Sequence, residues 1–110
     1  MMIAARKTAG GAPRRRAAQF HKSRREPVHP GYFLESRFLT PMKITQQALA
    51  QDLGISRRRV NEIIRGKRGI SPDTAVRLAL YFGNEPEFWL ELQLAWDVHI
   101  ALKNLKHTRT

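Results

Sequence analysis

Apolar positions fall into five sets along the chain, the first four at the three-and-four spacing of a helix that buries one face. Phe33, Leu34, Phe38 and Leu39 form the first set, and Leu49, Ala50 and Leu53 the second. Val60, Ile63 and Ile64 form the third, and Ala75, Leu78, Ala79 and Phe82 the fourth. The fifth, over residues 88–105, is apolar around most of its circumference. The pattern predicts an all-α fold of five helices.

Helix boundaries are marked by residues with a local physical reason to be there. His29-Pro30-Gly31 reads as a start, because proline suits the first helical turn, and Pro41 is expected to end that helix by restricting Thr40. Met42-Lys43-Ile44 links to Thr45, an N-cap for a helix beginning at Gln46. Gly54 falls where that helix must stop, and glycine takes up the left-handed conformation at little steric cost. Ile55 can plug the corner, and Ser56 caps the next helix. Ala50 is small enough for close approach at a steep crossing, so residues Gln46 to Arg65 make a helix-turn-helix frame. Gly66 closes the third helix, Ser71-Pro72-Asp73 opens the fourth and Gly83 stops it. The last helix should start around Glu85-Pro86-Glu87 and run to about Asn104.

One feature of the third helix breaks a stability rule. Arg57, Arg58 and Arg59 occupy its first turn, where the macrodipole is positive and each cation is disfavoured by ~0.3–1 kcal/mol. That placement fits an external anion supplying the countercharge, as happens when a recognition helix presents its N-terminus to the major groove. The reading fails if those guanidinium groups fold back onto carboxylates of their own chain or lie inside a subunit contact. Glu62 on the same helix can read a cytosine amino group or hold an arginine in place. Beyond it, two glycines bracket Lys67 and Arg68 in a turn suited to a phosphate.

Charge narrows the partner. The formal net charge is +11 over 110 residues, which favours polyanions. Residues 1–29 carry +7, residues 30–84 carry +5 and residues 85–110 carry −1. Residues 1–28 lack apolar periodicity and read as a disordered basic arm, able to track phosphates, although an Arg-rich, acid-poor N-terminus is also similar to a mitochondrial transit peptide. The organisation expected is therefore the arm 1–28, a helix-turn-helix domain 29–84 and a final helix 85–110 for core packing and dimer or partner contact. In that helix Gln93, Asp97 and Asn104 share a narrow polar stripe. Trp89, Trp96 and Ile100 lie to one side of it, and Leu90, Leu94, Val98, Ala101 and Leu105 to another, with Phe88, Leu92, Ala95 and Leu102 between. One small core buries only part of such an arc, so the surplus, expected among Trp89, Leu90, Leu94, Trp96, Val98, Ile100, Ala101 and Leu105, should meet a second chain.

Other functions find little support. With 42% hydrophobic residues the chain can build a modest core, but no run approaches the roughly 20 apolar residues of a membrane span, and no secretory h-region is present. Without cysteine there is no disulfide, thiolate chemistry or Cys-based zinc site, which fits a reducing, cytoplasmic setting. His21, His29, His99 and His107 share no metal-ligand spacing. Neither a glycine-rich phosphate loop, a GxSxG motif nor a carboxylate pair set for acid–base work occurs, so no enzyme, metal or cofactor is expected.

The stretch HPGYFLESRFLTPMKITQQALAQDLGISRRRVNEIIRGKRGISPDTAVRLALYFGNEPEFWLELQ resembles the HigA-type antitoxins, a branch of the lambda-repressor/Cro-like (XRE) helix-turn-helix family. The match runs from about His29 to Asp97 and rests on the HPG opening, on LAQDLGISRRRVNEIIRGKRGIS with TAVRLA after it, and on FGNEPEFWLELQ. The resemblance implies a five-helix DNA-binding fold and a homodimer on a palindromic operator. It also implies a small HigB-type mRNA endonuclease as partner toxin, which the antitoxin neutralises while repressing the shared promoter. Carried over by position, Arg57, Arg58, Asn61 and Glu62 are the expected base readers, and Gln46, Arg59, Arg65, Lys67 and Arg68 the expected phosphate contacts. Two features depart from the family pattern: the arm before His29 is longer than the core requires, and Ser36 stands where a charged residue is more usual. Two alternatives stay open: a repressor of the same fold with no toxin, as in phages and plasmids, and a small basic RNA-binding structural protein of ribosomal type.

Overall fold

The computed structural model of the chain describes residues 26–109, which form five helices and no strand. The basic arm expected over residues 1–28 lies almost wholly outside the described residues. Helix α1 covers residues 30–42, α2 Gln46–Leu53, α3 Arg57–Ile64, α4 Pro72–Phe82 and α5 Pro86–Arg109. Among the described residues no helix is long and apolar enough to cross a membrane.

Capping follows local chemistry. The hydroxyls of Thr45, Ser56 and Ser71 each accept from the amide three residues on, at Ala48, Arg59 and Thr74, so α2, α3 and α4 begin on their expected caps. Gly54 sits at φ 76°, a region disfavoured for residues with a Cβ, and its amide closes α2 onto the carbonyls of Ala50 and Gln51. Pro41 does not end α1. Residues Glu35–Leu39 form a π turn and the helix continues through Thr40–Met42, with Lys43 in the left-handed region behind it. A proline ring collides with the carbonyl four residues back in an α-helix, and the wider π turn relieves that crowding, so the helix passes through the proline. The expected stop at Asn104 is likewise overrun, since α5 stays helical to Arg109.

The core is made by all five helices. Leu34 and Leu39 of α1, Leu49, Ala50 and Leu53 of α2, Val60 and Ile63 of α3, and Ala75, Leu78 and Ala79 of α4 are buried together with Ile70 and Trp89. Phe38, Phe82 and Phe88 surround Trp89 at ring-centroid distances of 4.6–5.9 Å between neighbours. The indole N–H donates to Asn84 Oδ1 at 2.9 Å, which satisfies its polar edge inside the core. Trp89 is 0% exposed, so its expected place in an intermolecular contact is corrected: it anchors α5 to its own subunit. Leu90 and Leu92 also pack on the core, whereas Leu94, Leu102 and Leu105 remain exposed and residues 101–107 project beyond the body.

Gly31 sets the distance between α1 and α3. A Cβ there would stand 1.8 Å from the Ile63 carbonyl oxygen, so only glycine permits this backbone contact. The entry to α1 is capped by His29, whose Nδ1 accepts from the Gly31 amide at 2.9 Å. Its ring meets Trp96 edge-on at 5.5 Å and borders Gly66.

Candidate nucleic-acid interface

Helix α3 presents its first turn outward. The Ser56 hydroxyl satisfies the Arg59 amide, and Val60 and Ile63 hold the inner face in the core. Arg57 and Arg58 are exposed, and Arg57 lies beside the start of α2 in a shallow depression shared with Thr45, Gln46, Gln47, Ala48 and Gln51. Gln46 and Asn61 are joined directly, Asn61 Nδ2 donating to Gln46 Oε1 at 3.1 Å. This bond ties the N-terminus of α2 to the middle of α3 and fixes both amides at the edge of the same surface.

The three arginines do not share one fate. Arg59 points inward, its Nη2 donating to Asp73 Oδ2 at 3.0 Å and to Thr74 Oγ1 at 2.6 Å, with its side chain 27% exposed. Asp73 also accepts from Arg77 Nε at 2.9 Å, and Arg77 Nη1 donates to the Leu53 carbonyl at 2.8 Å. These bonds link the C-terminus of α2, the first turn of α3 and the first turn of α4. Arg59 is therefore a brace in this structure, not the free phosphate contact expected of it. Arg77 first and Arg59 second hold the Asp73 carboxyl below its ordinary range.

Arg58 is 86% exposed at its side chain yet meets its own chain as well, Nε donating to Glu62 Oε2 at 3.0 Å. The other oxygen of Glu62 accepts from Arg68, with Nη2 at 2.8 Å and Nε at 2.9 Å. The hydrogen bonds from Arg68 and Arg58 keep the Glu62 carboxyl below its ordinary range. Of the two roles open to Glu62, the structure displays the holding one. The expectation that all three first-turn arginines stand free of their own carboxylates is thus overturned for Arg58 and Arg59. A surface i,i+4 pair such as Arg58–Glu62 is weak, however, and both guanidinium groups around Glu62 stay open to solvent.

Arg65, Lys67 and Arg68 are exposed on the turn after α3. The turn closes through the Gly66 amide to Ile63 O and the Lys67 amide to Glu62 O. Its far end is held by Gln93 of α5, whose Oε1 accepts from the Ile70 amide at 2.7 Å while Nε2 donates to Asp97 Oδ1 at 2.9 Å. Gln93 and Asp97 of the polar stripe on α5 thus serve the loop after α3, a role their periodicity did not reveal. Nor did the sequence reveal Asp73, Thr74 and Arg77 as parts of the brace. The Asp73–Arg77 spacing of four was visible, but the pairing with Arg59 fourteen positions away needed the fold.

The expected interface residues on α5 separate into two groups. Trp96 and Leu90 are half-buried against their own subunit, as are Val98 and Ile100 in part, while Leu94, Ala101 and Leu105 face outward. Among the described residues no group of His, Asp or Glu side chains is arranged to hold a metal ion.

Residues 37–89 match the helix-turn-helix family HTH_3. The chain is 44% identical over 80 residues to virulence-associated protein I of Dichelobacter nodosus, covering 73% of this chain and 74% of that protein. It is also 44% identical over 77 residues to antitoxin HigA-1 of Vibrio cholerae, covering 70% and 72% respectively. Among solved structures, the Pseudomonas aeruginosa antitoxin HigA with the higBA promoter superposes with a TM-score of 0.72 at 39% identity, over 74% of this chain and 89% of that one. With the capped helix pair and its exposed first turn in place, these likenesses show that the chain belongs to the HigA branch of the lambda-repressor/Cro-like helix-turn-helix family.

Proposed function

We propose that this chain is the antitoxin of a type II toxin–antitoxin module. As a homodimer in the cytoplasm it binds the palindromic operator of its own operon, represses transcription and neutralises a HigB-type mRNA endonuclease by stoichiometric binding. The observation that carries this reading is the shared helix pair of this chain and the HigA antitoxin solved with its promoter. Two α3 helices about 34 Å apart enter successive major grooves on one face of the duplex. Arg57 and Arg58 reach base edges, where an arginine can bond bidentately to guanine, and the Asn61–Gln46 pair lies at the margin of that contact. Arg65, Lys67 and Arg68 meet phosphates on the flank and supply salt-dependent affinity.

The test is competition binding to the promoter duplex of the chain's own operon and to a scrambled duplex, at two salt concentrations. Arg58→Ala should cost the operator ~1–3 kcal/mol and relax base preference, while Lys67→Ala should weaken both duplexes alike and lower the salt slope by about 1. Equal losses on both duplexes for Arg58→Ala overturn its base-reading role. Co-expression with the product of the adjacent reading frame should yield a complex that survives purification. A chain that represses the promoter but captures no neighbour's product is a stand-alone repressor.

A further inference from the structure

Four of the arginines around α3 are shared between two carboxylates that differ in what they hold. Asp73 takes Arg59 and Arg77, which also bond to Thr74 Oγ1 and to the Leu53 carbonyl. Its arginines are fixed from several sides. Glu62 takes Arg58 and Arg68, and for these two no other hydrogen-bond partner is formed in the described network. Their side chains are 86% and 50% exposed, whereas that of Glu62 is 24% exposed beneath them. The carboxylate lies between two releasable cations, one on the recognition helix and one on the loop that follows it. A phosphate oxygen offers the same acceptor geometry as that carboxylate.

We infer that Glu62 is a specificity-determining residue that contacts no base: it occupies Arg58 and Arg68 as an internal substitute for phosphate, so that DNA lacking the operator sequence must displace it. The inference rests on the DNA-binding reading above. On non-specific DNA the protein gains mainly phosphate contacts and counterion release, and Glu62 offsets both by withholding two cations and adding a negative charge beside the backbone. On the operator, the bidentate bonds available to Arg58 in the major groove replace the lost carboxylate contact. Glu62 therefore penalises the wrong duplex more than the right one, a repulsive element of the kind that selectivity between similar partners requires.

The experiment compares wild type, Glu62→Gln, Glu62→Asp and Glu91→Gln on the promoter duplex and on a scrambled duplex, across a salt series. Glu91 is exposed on α5, so its variant makes the same charge change away from α3. Glu62→Gln is expected to raise affinity for scrambled DNA about fivefold to tenfold at low salt and to steepen that salt slope by about 1, with operator affinity rising no more than about twofold. Glu62→Asp keeps the charge but shortens the reach to both arginines, and should give part of the same loss of selectivity. Matching shifts from Glu62→Gln and Glu91→Gln would reduce the effect to net charge and overturn the inference. A loss confined to the operator would make Glu62 a base reader and overturn it equally. Wild-type protein with no preference for the promoter duplex would instead remove the DNA-binding reading itself.

Discussion

His29 is the residue whose protonation has the most direct structural consequence. Its Nδ1 must be unprotonated to accept from the Gly31 amide, and burial lowers its pKa from the ordinary 6.5, opposed by the charge of Asp97. Because the folded value lies below the unfolded one, the unfolded chain takes up this proton more readily. The contribution is complete above pH 6.5 and is lost as pH falls through that value, levelling off once the folded imidazole is protonated too. Urea unfolding followed from pH 7.5 to 5.5 should show declining stability, and His29→Asn, which retains a capping side chain, should flatten the decline. An unchanged slope in that variant would assign the pH dependence to another group. Side chains of this kind were hard to weigh in the sequence. The HPG triplet was readable as a helix start, but the Gly31–Ile63 contact that makes its glycine obligatory joins residues 32 positions apart.

At the scale of elements, helix starts were the most legible feature, because Thr45, Ser56 and Ser71 act on amides only three residues away. Stops that depend on competition were not: Pro41 lost to a π turn, and α5 outran Asn104. The same distinction runs through the candidate site. Gly54, Ser56 and the exposed Arg57 could be located from neighbours in sequence, whereas the commitment of Arg59 to Asp73 depended on how α3 meets α4. The loop after α3 shows a further dependence, since the Ile70 amide is satisfied by Gln93 of α5. Gln93→Ala should leave that amide without its partner, costing ~1–3 kcal/mol. It should also loosen residues 65–70, giving faster amide exchange at Ile70 and weaker DNA binding with unchanged base preference. Protection at Ile70 equal to wild type would show that α5 does not position the loop.

For the whole molecule, the division of α5 is decisive. Its first half is an internal strut built on Trp89, and its second half carries Leu102 and Leu105 into solvent beyond the five-helix body. A projecting helix with exposed leucines matches the homodimer proposed above, in which two weak half-site contacts become one bivalent contact. Leu102→Glu combined with Leu105→Glu should give a monomer by sedimentation with its helical signal retained, and operator affinity should fall on the order of 100-fold. A double variant that still sediments as a dimer would place the subunit contact elsewhere. The sequence had shown that α5 was too apolar for one core but not which residues were surplus, because helical periodicity alone does not say where the body ends.

The abutment of Gly31 on the Ile63 carbonyl also determines where the polypeptide arrives at this body. His29 rests against Gly66 and Trp96, so the peptide entering α1 does so at the trailing end of α3, beside Arg65 and Lys67. An affinity handle fused directly at Glu26 is therefore tethered within a few residues of that flank. A C-terminal handle leaves from the far tip of α5, clear of that flank but only a few residues beyond Leu105, so it bears on the proposed subunit contact and leaves the grip of α3 alone.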